Sequence, residues 1–139
     1  MRMMNLVSGS SGNSTLVGTD RVNVLCDVGV SFKRIEENLN TAGLSGKDID
    51  AILITHEHID HASGLGVFMR KYNVPVYATD GTIFALGRMK SLGRVDHELF
   101  RPFRPGDGIQ LKDLDIRSHK IFHDAAEPVC FSFSSGNSK

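Results

Sequence analysis

The feature that most constrains this chain is a short unbroken apolar run, Ala51 to Ile54, that leads directly into the polar segment THEHIDH, Thr55 to His61. An apolar run of this length is typical of a strand that is buried on both faces of a sheet. The histidines of the segment therefore lie at the C-terminal end of a buried strand. Three histidines and two carboxylates fall within six residues, a density that structural needs alone explain poorly.

The spacing of these side chains indicates metal binding. On an extended backbone alternate side chains point the same way, so His56, His58 and Asp60 can face one cavity, and a turn at Asp60 lets His61 join from the side. Imidazole nitrogens and carboxylate oxygens bind Zn²⁺ at about 2.0 to 2.2 Å, so one loop can serve two ions. Glu57 points the other way and is not expected to be a ligand. The alternative is a polar loop whose histidines cluster by chance.

The rest of the chain alternates strand-like and helix-like segments without a Pro/Gly/Ser-rich linker, which predicts one α/β domain over residues 1–139. Ser31 has the features of an N-cap, and Gly43 stands where a C-terminal glycine belongs. Strands are predicted at Met3 to Val7, Thr15 to Gly18, Val22 to Cys26, Ala51 to Ile54, Val74 to Ala78, Gly108 to Leu111, Leu114 to His119 and Val129 to Ser134. Apolar residues at helical spacing predict three helices, at Phe32 to Ala42, Leu65 to Tyr72 and Ile83 to Met89.

Composition excludes several classes of protein. Sixteen basic and sixteen acidic residues cancel, so no overall field attracts nucleic acid, a lipid surface or an acidic partner. No stretch has the length of a signal peptide or a membrane span, which predicts a cytoplasmic protein. The two cysteines, Cys26 and Cys130, are not in a CxxC pair, and both are expected to be buried thiols rather than a disulfide.

Three histidines lie outside THEHIDH. His97 stands in the charged stretch DHELFR and is expected to be exposed and structural. His119 and His123 both lie in RSHKIFHDAAEP, and their spacing alone leaves open which of them completes a metal site. His123 is favoured because it begins a small-residue loop, whereas His119 falls within an alternating strand and is expected to pack there.

THEHIDH, with LCDVGVS before it and FHDAAEP after it, resembles the metallo-β-lactamase superfamily. SGSSGNS near the N-terminus, RPGDGIQL and FHDAAEPVCFSF are similar to the YycJ/WalJ-type metallohydrolases, which are nuclease-like enzymes. The resemblance implies an αββα sandwich, of which this chain would hold only the N-terminal half. It also implies two divalent ions, with Zn²⁺ expected and Mn²⁺ or Fe as alternatives. Ligand roles implied by the resemblance are His56, His58 and His123 on one ion, Asp60 and His61 on the other, and Asp27 supporting the ligands.

The sequence departs from this pattern in two places. Phe122 stands where the subfamily usually has serine, which would alter the wall of the site rather than the ligands. The pattern also needs a later bridging aspartate and a further histidine, so only five of seven expected ligands are present. The chain is therefore interpreted as a truncation that exposes an apolar sheet face. Such a chain is expected to self-associate, to bind a complementing C-terminal half, or to have a rearranged ligand loop that binds metal weakly.

The resemblance implies hydrolysis by a metal-bridging hydroxide, with single-stranded nucleic acid as the substrate. A thioester or lactam hydrolase of the same fold and an inactive metal-binding fragment are the alternatives. Two segments could contact a nucleic acid. Ser10, Ser11 and Asn13 of SGSSGN could hold a phosphate, although a plain turn is the simpler interpretation. A locally basic stretch could follow the backbone or could be an ordinary solvated surface, and it contains Arg88, Lys90, Arg94, Arg101 and Arg104.

Overall fold

The computed structural model describes residues 1–7, 12–122 and 124–135, and for residues 59 and 60 it describes the backbone only. Within these ranges the chain forms two sheets and four α-helices. The strands are β1 Arg2–Val7, β2 Ser14–Gly18, β3 Asn23–Cys26, β4 Ala51–Leu53, β5 Val76–Thr79, β6 Phe100–Phe103, β7 Gly108–Leu111, β8 Leu114–Lys120 and β9 Val129–Ser135. The helices are α1 Phe32–Thr41, α2 Ile59–Ala62, α3 Leu65–Tyr72 and α4 Asp80–Gly87.

The larger sheet contains β1 to β6 in sequence order. β1, β2 and β3 pair antiparallel, whereas β3, β4, β5 and β6 are parallel. Parallel neighbours need crossover connections, which α1, α3 and α4 provide. The carboxyl ends of β3, β4 and β5 therefore lie side by side at one edge of the sheet, and the segment that follows β4 is THEHIDH.

Helix boundaries follow from the sequence. The Ser31 hydroxyl accepts a hydrogen bond from the Arg34 N–H at 3.3 Å, which caps α1 as predicted. Gly43 has a positive φ of 80° just after the helix, a conformation that glycine adopts without strain. Thr79 caps α4 in the same way as Ser31 caps α1. All four helices contribute buried side chains to one core on one face of the larger sheet, and these include Ile35, Leu39, Ala62, Leu65, Phe68, Met69 and Leu86.

The smaller sheet, β7-β8-β9, is antiparallel and covers the other face of the larger sheet. A second core lies between the two sheets and contains Val17, Val24, Leu53, Leu114 and Ile116. The described layers are thus helix, sheet and sheet. In the described part of the chain β7 to β9 cover apolar side chains of this face such as Val17, Val24 and Leu53, whereas Met3 of β1 is 59% exposed. The outward side chains of β8 and β9 are Asp115, Arg117, His119, Cys130, Ser132 and Ser134. Self-association stays a prediction.

The structure differs from the sequence-based expectations in two places: one strand was not predicted, and the burial of one cysteine was predicted wrongly. The stretch after α4 was not predicted to contain a strand, yet β6 pairs with β5 from Phe100 to Phe103, with Phe100 and Phe103 buried. Cys130 was expected to be buried but is exposed, because alternation along β9 turns Val129 inward and Cys130 outward. Cys26 is partly buried in β3, and neither cysteine is in a disulfide. Among the described helices, none has the length and apolar character needed to cross a membrane.

Candidate metal centre

The site is built where β3 and β4 end. Asp27 follows β3 directly, and its N–H donates to the Leu53 carbonyl of β4 at 2.7 Å. Thr55 and His56 follow β4 after Ile54, and the carbonyl of Thr55 accepts from the Val129 N–H at 3.0 Å. Since Cys26 and Leu53 are paired in the parallel register, Asp27 and THEHIDH leave the sheet side by side. The packed strands thus fix the starting point of the histidine loop.

Three imidazole rings lie close together in this loop. The ring centroids of His56 and His58 are 4.8 Å apart, and those of His56 and His61 are 4.0 Å apart. His56 is buried, whereas His58 is partly exposed. The chain turns into α2 at Ile59, and the His61 N–H donates to the His58 carbonyl at 2.8 Å. This helical turn brings the ring of His61 back to the ring of His56.

The carboxylate of Asp27 is the centre of a hydrogen-bond network. Its Oδ1 accepts from the Thr55 N–H at 2.8 Å, and its Oδ2 accepts from the Thr55 hydroxyl at 2.8 Å. The Nδ1 of His61 lies 2.6 Å from the same Oδ2. Asp27 is 4% exposed and has a positive φ of 67°, which aspartate tolerates better than most residues. Burial raises the pKa of Asp27 above its ordinary value, opposed by its hydrogen bond and charge interaction with His61 and by its bonds to Thr55.

This network assigns the ring tautomers. With the carboxylate as acceptor, His61 donates through Nδ1–H, which leaves the lone pair on Nε2. The Thr55 hydroxyl donates its hydrogen bond to Asp27, so the hydroxyl oxygen accepts from Nδ1–H of His56 at 2.9 Å. The ring lone pair of His56 is therefore also on Nε2. Metal-binding histidines commonly donate their other N–H to such oxygen acceptors. Imidazole nitrogens held in this way are donors that suit a divalent metal. Thr55 was missed at the sequence level, since a hydroxyl beside a histidine has no distinctive pattern.

The loop that follows Asp27 is hydrogen-bonded to the helical turn that carries His61. The Val28 N–H donates to the His61 carbonyl at 2.9 Å, and the Gly64 N–H donates to the Val28 carbonyl at 2.8 Å. A Cβ on Gly64 would lie 2.1 Å from the carbonyl oxygen of Val30. Because only glycine fits this approach, residue 64 fixes the distance between the Asp27 loop and the histidine loop.

Of the three predicted substrate-binding residues, the structure describes Asn13. Asn13 lies at the site, and its Nδ2 is 3.2 Å from Nε2 of His61, to which it donates in the assigned tautomer. Asn13 thus faces the nitrogen that would bind a metal. Ser10 and Ser11 lie outside the described residues, so their predicted role is untested.

Two predicted ligands also lie outside the description. The side chain of Asp60 is not described, although its backbone is in α2. His123 is not described at all. Among the side chains that the structure does describe, no three His, Cys, Asp or Glu groups are arranged to hold a metal ion. The ligand roles of His56, His58, Asp60, His61 and His123 therefore stay predictions.

The remaining histidines lie elsewhere. His97 is exposed in a short 3-10 turn before β6, as expected. His119 is within β8, and its Nε2 lies 2.9 Å from the Ser132 hydroxyl on the outward face of the smaller sheet. The prediction that His119 belongs to the strand is confirmed, although its side chain is exposed rather than packed. Phe122, beside His123 in sequence, is 99% exposed.

Most of the basic stretch lies towards the amino ends of the parallel strands, whereas the histidine loop lies at their carboxyl ends. α4 starts beside the carboxyl end of β5 and its eight residues rise about 12 Å back across the sheet. Arg88, Lys90 and Arg94 follow it and lead to Phe100, which pairs with Val76 at the start of β5. Only Arg104, which follows Phe103 and the end of β6, returns to the edge that holds the histidines.

Comparison with known proteins defines the class. A family model described as the metallo-beta-lactamase superfamily matches residues 7–132, and the chain belongs to this superfamily. Solved structures agree on the fold: the Rm3 metallo-beta-lactamase superimposes with a TM-score of 0.79 at 24% identity, covering 96% of this chain and 56% of that one. The fold and family implied by THEHIDH are thus confirmed.

Among individual relatives, the exodeoxyribonuclease YycJ of Bacillus anthracis is 41% identical over 134 residues, covering 96% of this chain and 50% of the relative. The exodeoxyribonuclease WalJ of Streptococcus pneumoniae serotype 2 is 42% identical over 128 residues, covering 92% and 48%. Ribonuclease TTHA0252 of Thermus thermophilus is 38% identical over 79 residues, covering 55% and 18%. The chain spans about half the length of YycJ and WalJ, and the relatives share names that describe nucleases.

Proposed function

We propose that this chain carries the metal-binding part of a two-metal phosphodiesterase that acts on single-stranded nucleic acid, with DNA as the first substrate to test. The observation that carries the proposal is the single carboxylate of Asp27, which orients His61 directly and His56 through the Thr55 hydroxyl. The family membership and the nuclease names of YycJ and WalJ support the choice of reaction.

In the proposed centre His56, His58 and His123 hold one divalent ion, and Asp60 and His61 hold the other. The ions would supply a water nucleophile at neutral pH and stabilise negative charge on the phosphate oxygens. Zn²⁺ suits imidazole and carboxylate ligands, and Mn²⁺ or Fe are alternatives. The chain's own contribution is orientation: Asp27 and Thr55 hold the Nδ1–H groups of two rings, so that Nε2 would be the nitrogen of each ring that binds an ion.

Substrate contacts are proposed at the edge of the sheet that holds the histidines. Asn13 faces His61 there, and its amide could donate to a phosphate oxygen. Arg104 lies at the end of β6 on the same edge and could contribute a charged contact. Arg88, Lys90 and Arg94 lead away from this edge, so we assign them to the solvated surface instead. A cytoplasmic location remains part of the proposal.

The decisive test compares substrates under one set of metal conditions. Protein stripped with a chelator and reloaded with Zn²⁺ or Mn²⁺ would be incubated separately with end-labelled single-stranded DNA, a thioester and a β-lactam. We expect shortening of the DNA that disappears again when the chelator is added. Hydrolysis of the thioester or the lactam without DNA cleavage would identify the alternative enzyme of the same fold. Metal binding without any hydrolysis would identify an inactive metal-binding fragment.

A further inference from the structure

We propose that Glu57 is a positioning residue whose carboxylate holds the loop between β8 and β9, residues 121–128, against the histidine loop. This inference rests on the proposed metal centre, because the 121–128 loop carries the predicted ligand His123. The Glu57 bond connects THEHIDH with the loop between β8 and β9, the two segments proposed to supply metal ligands. Glu57 itself is not assigned as a ligand.

The first observation is the direction of the Glu57 side chain. Glu57 lies between His56 and His58, and on an extended backbone it points away from the face that these rings share. Its Oε2 accepts from the Ala126 N–H at 3.0 Å, and its Oε1 lies 3.4 Å from the same nitrogen. A carboxylate that accepts a backbone N–H makes a charge-assisted hydrogen bond, which is stronger than a neutral one. Glu57 therefore links the centre of THEHIDH to a residue three positions after His123.

The second observation is that the same loop is anchored at its base. The Val129 N–H donates to the Thr55 carbonyl at 3.0 Å, and the Ile121 N–H donates to the Pro128 carbonyl at 3.4 Å. These bonds close the loop where it leaves β8 and enters β9. They fix the base of the loop but leave its tip, which includes Ala126, to other contacts.

The third observation is an anchor at the end of β5 and the start of α4. The Glu127 carbonyl accepts from the Thr79 hydroxyl at 2.8 Å, and its carboxylate accepts from the Gly81 N–H at 2.9 Å. A Cβ on Gly81 would lie 2.7 Å from the Cβ of Glu127, so the loop rests tightly on the first turn of α4. Neighbouring residues of one loop, Ala126 and Glu127, thus bond in two directions. Among the described residues, Glu57 provides a side-chain bond between the tip and the histidine loop.

These contacts predict a specific consequence for metal binding. Without the Glu57 bond the tip of the loop would still be held to α4 through Glu127, but no longer to the histidine loop. The two segments could then shift relative to each other, which lowers the fraction of molecules in which ligands from both segments meet. Removing groups that orient metal ligands commonly weakens metal affinity by about 10- to 100-fold. Glutamine keeps an acceptor oxygen on a side chain of the same length, so Glu57→Gln should retain most of the affinity, whereas Glu57→Ala should not.

The experiment is a Zn²⁺ titration by calorimetry on the wild type, Glu57→Ala, Glu57→Gln and Glu37→Ala. Glu37 is an exposed glutamate on α1 and serves as the matched control. We expect affinity to fall at least about tenfold in Glu57→Ala. It should stay near the wild-type value in Glu57→Gln and Glu37→Ala. An unchanged affinity in Glu57→Ala would overturn the proposal. Equal loss in the alanine and glutamine variants would mean that the negative charge of Glu57 sets the affinity, as it would for a direct ligand, and not its position as an acceptor, which also overturns the proposal.

A second measurement applies whether or not Zn²⁺ binds and whether or not DNA is cleaved. Hydrogen exchange of the Ala126 amide, followed by NMR in metal-free protein, should be accelerated in Glu57→Ala and protected in the wild type and Glu57→Gln. If Glu57→Ala does not fold, the comparison of Glu57→Gln with the wild type still decides between a positioning residue and a ligand. Equal exchange of the Ala126 amide in the wild type and in a folded Glu57→Ala variant would refute the proposed role of Glu57. Absence of Zn²⁺ binding by the wild type would instead count against the metal centre itself.

Discussion

Replacing Asp27 with asparagine tests the role of the carboxylate without changing the shape of the side chain. In the wild type two donors, the Thr55 hydroxyl and Nδ1–H of His61, converge on Oδ2 at 2.8 and 2.6 Å. In Asp27→Asn one oxygen can still accept from the Thr55 N–H, but the amide nitrogen then faces both of these donors. His61 can satisfy that amide only as the tautomer protonated on Nε2. In that tautomer Nε2 has no lone pair for a metal.

The expected size of this effect comes from the metal equilibrium. Loss of a group that orients metal ligands weakens binding by about 10- to 100-fold, which is about 1.4 to 2.8 kcal/mol. The unfolding free energy of the metal-free protein should change less, because two effects of the substitution oppose each other. It removes charge-assisted hydrogen bonds, and it also removes the cost of burying a charged carboxylate, which is the cost that raises the pKa of Asp27. Competition of the protein with a chromophoric chelator for Zn²⁺ measures the first quantity, and urea unfolding of metal-free protein measures the second.

Asp115→Asn is the matched control for this substitution. Asp115 is an exposed aspartate on the outward face of β8 and lies on the smaller sheet rather than in the histidine loop. The Asp115→Asn variant should bind Zn²⁺ as the wild type does. Wild-type affinity in Asp27→Asn would refute the tautomer argument, and a large loss of stability with unchanged affinity would make Asp27 a purely structural residue.

Three further predictions follow from the same structure. His58→Ala and Asp60→Ala should abolish metal-dependent hydrolysis while leaving the circular dichroism spectrum unchanged, and unchanged turnover in either would remove THEHIDH from the mechanism. Iodoacetamide should label exposed Cys130 in folded protein well before Cys26. The thiol pKa of Cys26 is raised well above its ordinary value by burial and by the nearby Asp27 charge. Equal labelling rates of the two cysteines, measured by peptide mass, would contradict this prediction. Phe122→Ser should change the unfolding free energy by no more than about 0.5 kcal/mol in urea, because the ring is 99% exposed, and a larger loss would reveal hidden packing.

Periodicity and capping predicted most of the fold. The short apolar run before THEHIDH forms β4, and Ser31 and Gly43 mark the ends of the α1 region as expected. β6 was missed because its sequence, FRPF, contains a proline and charged neighbours, and such a sequence is tolerated only at the edge of a sheet. Cys130 was misplaced because its exposure depends on which face of β9 turns outward, and two neighbouring strands decide that.

For the site, the sequence predicted which residues matter but not how they are connected. Two-residue spacing explained why His56 and His58 share a face, and the resemblance indicated Asp27. The pairing of β3 with β4 places Asp27 against Thr55, and no local pattern contains that long-range contact. The bond between Glu57 and Ala126 is equally non-local, since it joins residues 69 positions apart.

The most direct test of the metal centre is anomalous diffraction from crystals of the protein grown with Zn²⁺, measured on both sides of the zinc absorption edge. We expect an anomalous peak about 2.0 to 2.1 Å from Nε2 of His56, with a nitrogen of His58 at the same distance. A second peak is expected beside Nε2 of His61, with Nδ1 of that ring still bonded to Asp27. Zinc bound only elsewhere on the chain, or bound through Nδ1 of His61 with the Asp27 contact broken, would show that the proposed metal centre is wrong.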